Sequence, residues 1–297
     1  MVLNARPASP IPRTERADHL RGRIAESARS PESKPRLLWI ESTEARPGLG
    51  RLWEFLASYL TAITGPEFET KHAAFPIGGG GVRQPSARLF SEALAAATIA
   101  ELEDEAEVFI LNDFAQPFYP LRALIRKPIT GIMEASAVLG CTLARRPAII
   151  TVAEGMRAGM ERDLAEIGLA GRMAQPSIWW LDPPTTHAEI QEAIDSPDSL
   201  VARFDSVARQ AVASGADAIL VGCGYYGPVF AKHGYTHVTG RPDVPVYDCA
   251  RLGLEYARTL YHLDRAGIAP SRRGFPLLPD ANARPFRELA ARILEGG

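Results

Sequence analysis

Two residues capable of acid-base chemistry stand in matching settings in this chain. Residues 107–114 read EVFILNDF and residues 217–224 read DAILVGCG: an acidic residue, four apolar residues, a small or polar residue, and then Asp113 or Cys223, six positions after the acid in each case. A carboxylate and a thiol can each remove a proton from carbon or return one, provided each is held at a face of the substrate. Each motif is preceded by a helical segment ending in a turn (ELEDEA, VASGA). Each is followed by a short helical stretch and a second strand that begins at a proline, Pro128 or Pro245. A repeat of this kind implies two pseudo-symmetric halves whose equivalent acid and thiol converge on one cleft.

Positioning such a pair requires a scaffold of parallel strands. From Leu37 onward, short apolar runs alternate with stretches of helical period, which predicts an α/β fold of two Rossmann-like halves. Each half is a mostly parallel four-stranded sheet flanked by helices, with the active site between them. The predicted strands are 37–41, 68–75, 108–112 and 128–132, then 148–152, 176–181, 218–222 and 245–248. The predicted helices are 48–63, 85–103, 133–145, 155–168, 198–214 and 249–266. A last helix over 283–295 is expected to pack back on the first half, which then comprises 36–132 plus 249–297, the second being 133–248. Residues 1–35, rich in Arg, Pro, Ser and Glu, cannot bury enough apolar surface to order themselves and read as a flexible arm. In such sheets ligands gather outside the carboxyl ends of the strands, where Asp113 and Cys223 fall.

With 297 residues, 46% of them apolar, the chain can form about two domains around sizeable cores. A net charge of −2 gives no electrostatic reason to invoke nucleic acid or a membrane surface. No apolar run approaches the roughly 18 residues a membrane span needs, and the N-terminus lacks the apolar core of a secretory signal, so a cytoplasmic protein is expected. Cys141, Cys223 and Cys249 show no paired spacing, and His187, His233 and His237 show no metal-ligand spacing, so neither a disulfide framework nor a metal site is assigned. Cys141 and Cys249 read as packing residues. The GGGG run at 78–81 lacks the Gly-Lys-Ser/Thr of a phosphate loop and the spacing of a dinucleotide site. It reads as a plain connection or as a loop over the cleft.

Around Cys223, Gly222, Gly224 and Gly227 permit close backbone approach, and the amides that follow can donate to an anion. A helix starting there is expected to lower the thiol pKa below about 8.5. The structural alternative makes Cys223 a small buried side chain and Asp113 a helix cap. Tyr225 and Tyr226 are placed to line a pocket or to pack beneath it.

The phrase ADAILVGCGYYG followed by VPVYD resembles the second-cysteine motif of the aspartate/glutamate/hydantoin racemase superfamily. EVFILNDF followed by KPITGIMEASA is similar to its first-cysteine motif, closest in style to the hydantoin racemases. The resemblance spans roughly residues 36–265. It implies two similar α/β halves and proton removal and return at the carbon beside a carboxylate or amide, with one cysteine on each face and no cofactor. Carried over, Cys223 matches the second cysteine and Asp113 occupies the position of the first. The implied partner is a small carboxylate- or amide-bearing substrate, with neither nucleic acid nor membrane. A homo-oligomer is compatible with this reading.

The Asp113/Cys223 pair is unbalanced in a way two thiols are not. With ordinary pKa values of about 3.9 and 8.5, moving the proton from thiol to carboxylate costs roughly 6 kcal/mol before the environment acts. The expected resting state is therefore a carboxylate base facing a thiol acid. Charge developing on the substrate needs donors. The candidate donors are the segment 41–45 after the first strand, with Glu41 and Ser42, Ser136 after the fourth, Thr151 at the end of the fifth, and the amides near Gly224 and Tyr225; Asn112 and Phe114, beside Asp113, are further expected substrate contacts. The superfamily's Thr pair after the fifth strand is present only as Thr151, followed by Val152. Three functions follow: a cofactor-independent racemase or isomerase; a decarboxylase or lyase in which Cys223 protonates; or a small-molecule binding protein without chemistry.

Overall fold

Every residue of VFILN and AILVG is buried, as parallel strands covered on both faces must be, and the two runs occupy interior positions in two sheets. The structure is a computed structural model that describes residues 34–44, 49–75, 83–114, 118–279, 288 and 291–292. The GGGG run, nearly all of the expected N-terminal arm and most of the expected last helix lie outside these residues.

The first sheet holds β1 (Arg36–Glu44), β2 (Glu69–Phe75), β3 (Val108–Asn112) and β4 (Ile129–Gly131), all parallel in the order β2-β1-β3-β4. The second holds β5 (Pro147–Thr151), β6 (Ile178–Trp180), β7 (Ala218–Gly222), β8 (His237–Val238) and β9 (Arg241–Tyr247), in the order β6-β5-β7-β9-β8. This sheet has five strands, not the expected four: β8 runs antiparallel to β9 across a turn at Gly240, whose φ of 77° suits glycine. The exposed Arg241, Pro242 and Asp243 open β9 and carry no apolar signal, which is why only its last residues were legible.

The helices are α1 (Gly50–Thr64), α2 (Pro85–Leu102), α3 (Phe118–Leu124), α4 (Ile132–Leu143), α5 (Arg157–Glu166), α6 (His187–Ala193), α7 (Asp198–Ala213), α8 (Tyr226–Lys232) and α9 (Cys249–Arg265). The short α6 was not foreseen, although its capping box, Thr186 with Glu189, is a sequence signature. On α7, Leu200, Phe204, Ala208 and Ala211 recur at helical spacing and form the buried face. Asp248 caps α9 by accepting from the Ala250 amide at 2.9 Å.

The repeat extends to register. β1 pairs with β3 from Leu37↔Val108 through Glu41↔Asn112, and β5 pairs with β7 from Pro147↔Ala218 through Thr151↔Gly222; adding 110 to each number of the first set gives the second. Asp113 and Cys223 are separated by the same interval and follow equivalent strand ends.

Side chains of the first sheet divide by alternation. Trp39, Val108 and Ile110 face a large core shared with the second sheet, while Leu38, Ile40, Phe109 and Leu111 pack against α2 residues such as Leu94 and Ile99. Helices α4 and α9 pack against each other in the shared core, and α9 rests on β3 and β4. There a Cβ on Gly253 would meet Ile132 Cγ2 at 3.0 Å and Ile110 Cγ2 at 3.7 Å. Gly140 of α4 presses on Leu220 of β7. Across the periphery, buried Arg88 of α2 donates from Nη2 to both carboxylate oxygens of buried Asp163 on α5, at 2.7 and 2.9 Å. Among the described residues no helix is long and apolar enough to cross a membrane.

Candidate active site

Asp113 follows β3 and Cys223 follows β7 at the carboxyl edges of the two sheets. The turn at Cys223 is dictated by crowding. A Cβ on Gly222 would lie 2.8 Å from the carbonyl oxygen of Ile150, and one on Gly224 would lie 1.6 Å from Asn112 Oδ1. Both positions therefore require glycine, and the second brings the end of β3 into contact with the loop after β7. The Tyr226 amide then donates to the Cys223 carbonyl at 3.1 Å and starts α8.

Behind Asp113 lies a network joining the two halves. The Glu41 carboxylate is 1% exposed. It accepts from Trp39 Nε1 at 2.7 Å, from Asn112 Nδ2 at 2.9 Å (Oε1) and 2.7 Å (Oε2), and from the Tyr225 phenol at 2.9 Å. The Tyr225 bond crosses from the second half to the first. Removal from water nonetheless pushes the Glu41 pKa up to about 7, outweighing the donors from Asn112, Trp39 and Tyr225; the nearby charge of Asp113 adds to the rise. Glu41 was expected to touch substrate. It is instead an enclosed acceptor that fixes Asn112 and Tyr225.

These contacts also orient Asn112. With Nδ2 on the carboxylate, Oδ1 must point away, toward Gly224, and it is buried without a hydrogen-bond partner among the described residues. Ser42 reaches the same strand end, its hydroxyl donating to the Asn112 carbonyl at 3.4 Å. Phe114 is buried beside Asp113.

The thiol departs from expectation. Cys223 is half-buried, and loss of solvent pushes its pKa up to about 11, although the Tyr225 and Tyr226 amides and the positive charge of Arg83 pull it down. The expected lowering of the thiol pKa is therefore corrected to a rise, while the expected resting state, a proton-bearing thiol, is unchanged. Cys249, fully buried, donates from Sγ to the Cys223 carbonyl at 3.3 Å, a packing role.

Two expected substrate contacts lie apart from this network. The Thr151 hydroxyl donates to the Gly222 carbonyl at 3.1 Å and ties β5 to β7; it is the register counterpart of Glu41. Ser136 is fully enclosed in α4, its hydroxyl without a partner among the described residues. Tyr226 is wholly buried and bonded to Thr185, while Tyr225 carries the Glu41 contact and meets the His187 ring edge-on. Sequence reasoning missed Arg83, which lies just before α2 and carries no motif of its own. Among the described residues no group of three or more His, Cys, Asp or Glu is placed to hold a metal ion. Two open depressions, one edged by Trp179 and Trp180, the other by Arg145 and Asp217, are lined by neither Asp113 nor Cys223.

Comparison with known proteins places the chain in a family. A profile described as Asp/Glu/Hydantoin racemase matches residues 78–259, more than half of the chain. The chain belongs to the Asp/Glu/Hydantoin racemase family. An allantoin racemase from Klebsiella pneumoniae superposes with a TM-score of 0.67 at 18% identity, covering 83% of this chain and 94% of that one. An allantoin racemase from Pseudomonas fluorescens gives 0.65 at 18% identity over 82% and 97%. A glutamate racemase from Bacillus anthracis gives 0.56 at 13% identity over 89% and 95%. At these identities the likeness establishes the family's two-half fold. An uncharacterized protein of Schizosaccharomyces pombe is 26% identical over 145 residues, 48% of this chain and 58% of that protein, so the match spans little more than half of its length.

Proposed function

We propose that this racemase-family chain is a cofactor-independent racemase or isomerase in which Asp113 and Cys223 exchange a proton at a carbon beside a carboxylate or amide. The observation that carries the reading is the shared register of the halves, which sets the two residues at equivalent strand ends 110 positions apart. Asp113 acts as the base and the protonated Cys223 as the acid on the opposite face. The proton that burial keeps on Cys223 favours the thiol as the acid of the pair. Each turnover leaves a proton on Asp113 and a thiolate at Cys223, and exchange with solvent resets both before the next; an isomerase whose product differs chemically from its substrate is the sharper form of the proposal.

A second reading is favoured by the same thiol. A cysteine that keeps its proton is suited to protonating a carbanion left by decarboxylation or elimination, with Asp113 orienting the substrate. Proton NMR in heavy water separates the two readings, using a panel of amino acids, hydantoins and substituted malonates with wild type, Cys223→Ala and Asp113→Asn. Loss of an α-proton signal with wild type alone supports the paired mechanism. A deuterated product with fewer carbons, formed by wild type and Asp113→Asn but not by Cys223→Ala, supports decarboxylation. Exchange that survives in both variants refutes both readings.

A further inference from the structure

Arg83 belongs to the first half yet is held by the second. Its Nη2 donates to the Thr185 carbonyl at 2.8 Å, and the Thr185 hydroxyl is bonded to the Tyr226 phenol, three residues beyond Cys223. The Arg83 carbonyl lies where a Cβ on Gly155 would meet it at 2.0 Å, so a glycine after β5 is what lets the two backbones approach. The side chain is half-buried and its charge is felt at Cys223 and Tyr226. A guanidinium carries five N–H donors, of which the Thr185 carbonyl takes one. Among the described residues no carboxylate pairs with it. A partly desolvated cation, tied through Thr185 to the tyrosine three residues beyond the thiol and with donors to spare, matches the planar two-point geometry of a carboxylate.

We propose that the cleft selects an anionic substrate, whose carboxylate docks on the Arg83 guanidinium, so that Arg83 determines preference for charged over uncharged compounds. The inference deepens the reading above and rests on Cys223 marking the site. Asp113, the base in the reading above, would repel the same carboxylate and so favour one orientation of the substrate.

The test is isothermal titration calorimetry with two compounds that share a ring and differ in charge, hydantoin-5-acetate and 5-ethylhydantoin, on wild type, Arg83→Gln and Arg83→Lys, with circular dichroism confirming that each variant is folded. Wild type should bind the acetate tighter by about tenfold to a hundredfold, the range of a charge-assisted hydrogen bond. Arg83→Gln should abolish the preference, and Arg83→Lys, which keeps charge without the fork, should retain part of it. Equal binding of the two compounds by wild type, no measurable binding of either, or a preference that survives Arg83→Gln overturns the inference. Charge preference without hydrogen exchange at carbon would refute the isomerase reading and leave this one standing; exchange without charge preference would do the reverse.

Discussion

Replacing Gly224 by alanine tests the contact on which the closed strand ends depend. The added methyl would lie 1.6 Å from Asn112 Oδ1, 2.5 Å from Cγ and 2.8 Å from Nδ2, so the whole amide group must move. It cannot swing freely, because Nδ2 is held by both oxygens of Glu41. Overpacking of a tight site costs about 1–3 kcal/mol. Displacing Asn112 also strips a buried carboxylate of a donor, a bond worth about 1.5–3 kcal/mol, giving about 2.5–6 kcal/mol in all. Urea denaturation of wild type, Gly224→Ala, Asn112→Ala and the double variant forms a cycle. Asn112→Ala should itself destabilise, since Glu41 loses its partner, but Gly224→Ala should then add little, with a coupling of about 1–3 kcal/mol. A Gly224→Ala single variant within about 0.5 kcal/mol of wild type, the usual range for an uncrowded surface change, would refute the argument.

Because the folded pKa of Glu41 is raised to about 7 from 4.5, its contribution favours the fold below pH 4.5 and is lost as pH rises to 7, about 3 kcal/mol in all; Glu41→Gln should flatten that part of a stability-pH curve, and parallel curves for the two proteins would refute it. His72, pushed down to about 4 by burial, works in the opposite sense, favouring the fold above pH 6.5 and losing that effect as pH falls toward 4, so the comparison must be variant against wild type at each pH. Asp163→Ala leaves Arg88 buried without its main partner and should cost about 3–5 kcal/mol by calorimetry; a change under about 1 kcal/mol would show the clamp to be idle. Alkylation of Cys223 by iodoacetamide, followed by peptide mass spectrometry, should still be accelerating at pH 10, because burial pushes the thiol up to about 11; a plateau near pH 9 would contradict this.

What could be read in the sequence was whatever the backbone repeats. β3 and β7 run over the residues their apolar composition indicates, because strands buried on both faces leave an uninterrupted run. The long helices were legible through their period. What escaped depends on neighbours distant in sequence. Glu41 looked like a polar strand-end residue, and only a tyrosine 184 positions away makes it an enclosed acceptor. Thr151 reads as a substrate ligand in sequence, but its hydroxyl donates to the Gly222 carbonyl on an adjacent strand. The thiol was expected to be acidic because a helix begins nearby, but desolvation, invisible in sequence, outweighs two amides. Arg83 lacked any motif, since its relevance comes from Thr185 and Gly155 in the other half.

The seating of α9 on β3 and β4 has a consequence for synthesis of the chain. Ile110 emerges from the ribosome early, but the helix whose Gly253 settles against it is made some 140 residues later. At about 5–20 residues per second, the inner face of the first sheet waits several seconds or longer for its cover. During that interval the nascent first sheet is an open apolar surface, and a chaperone has most to protect before α9 arrives.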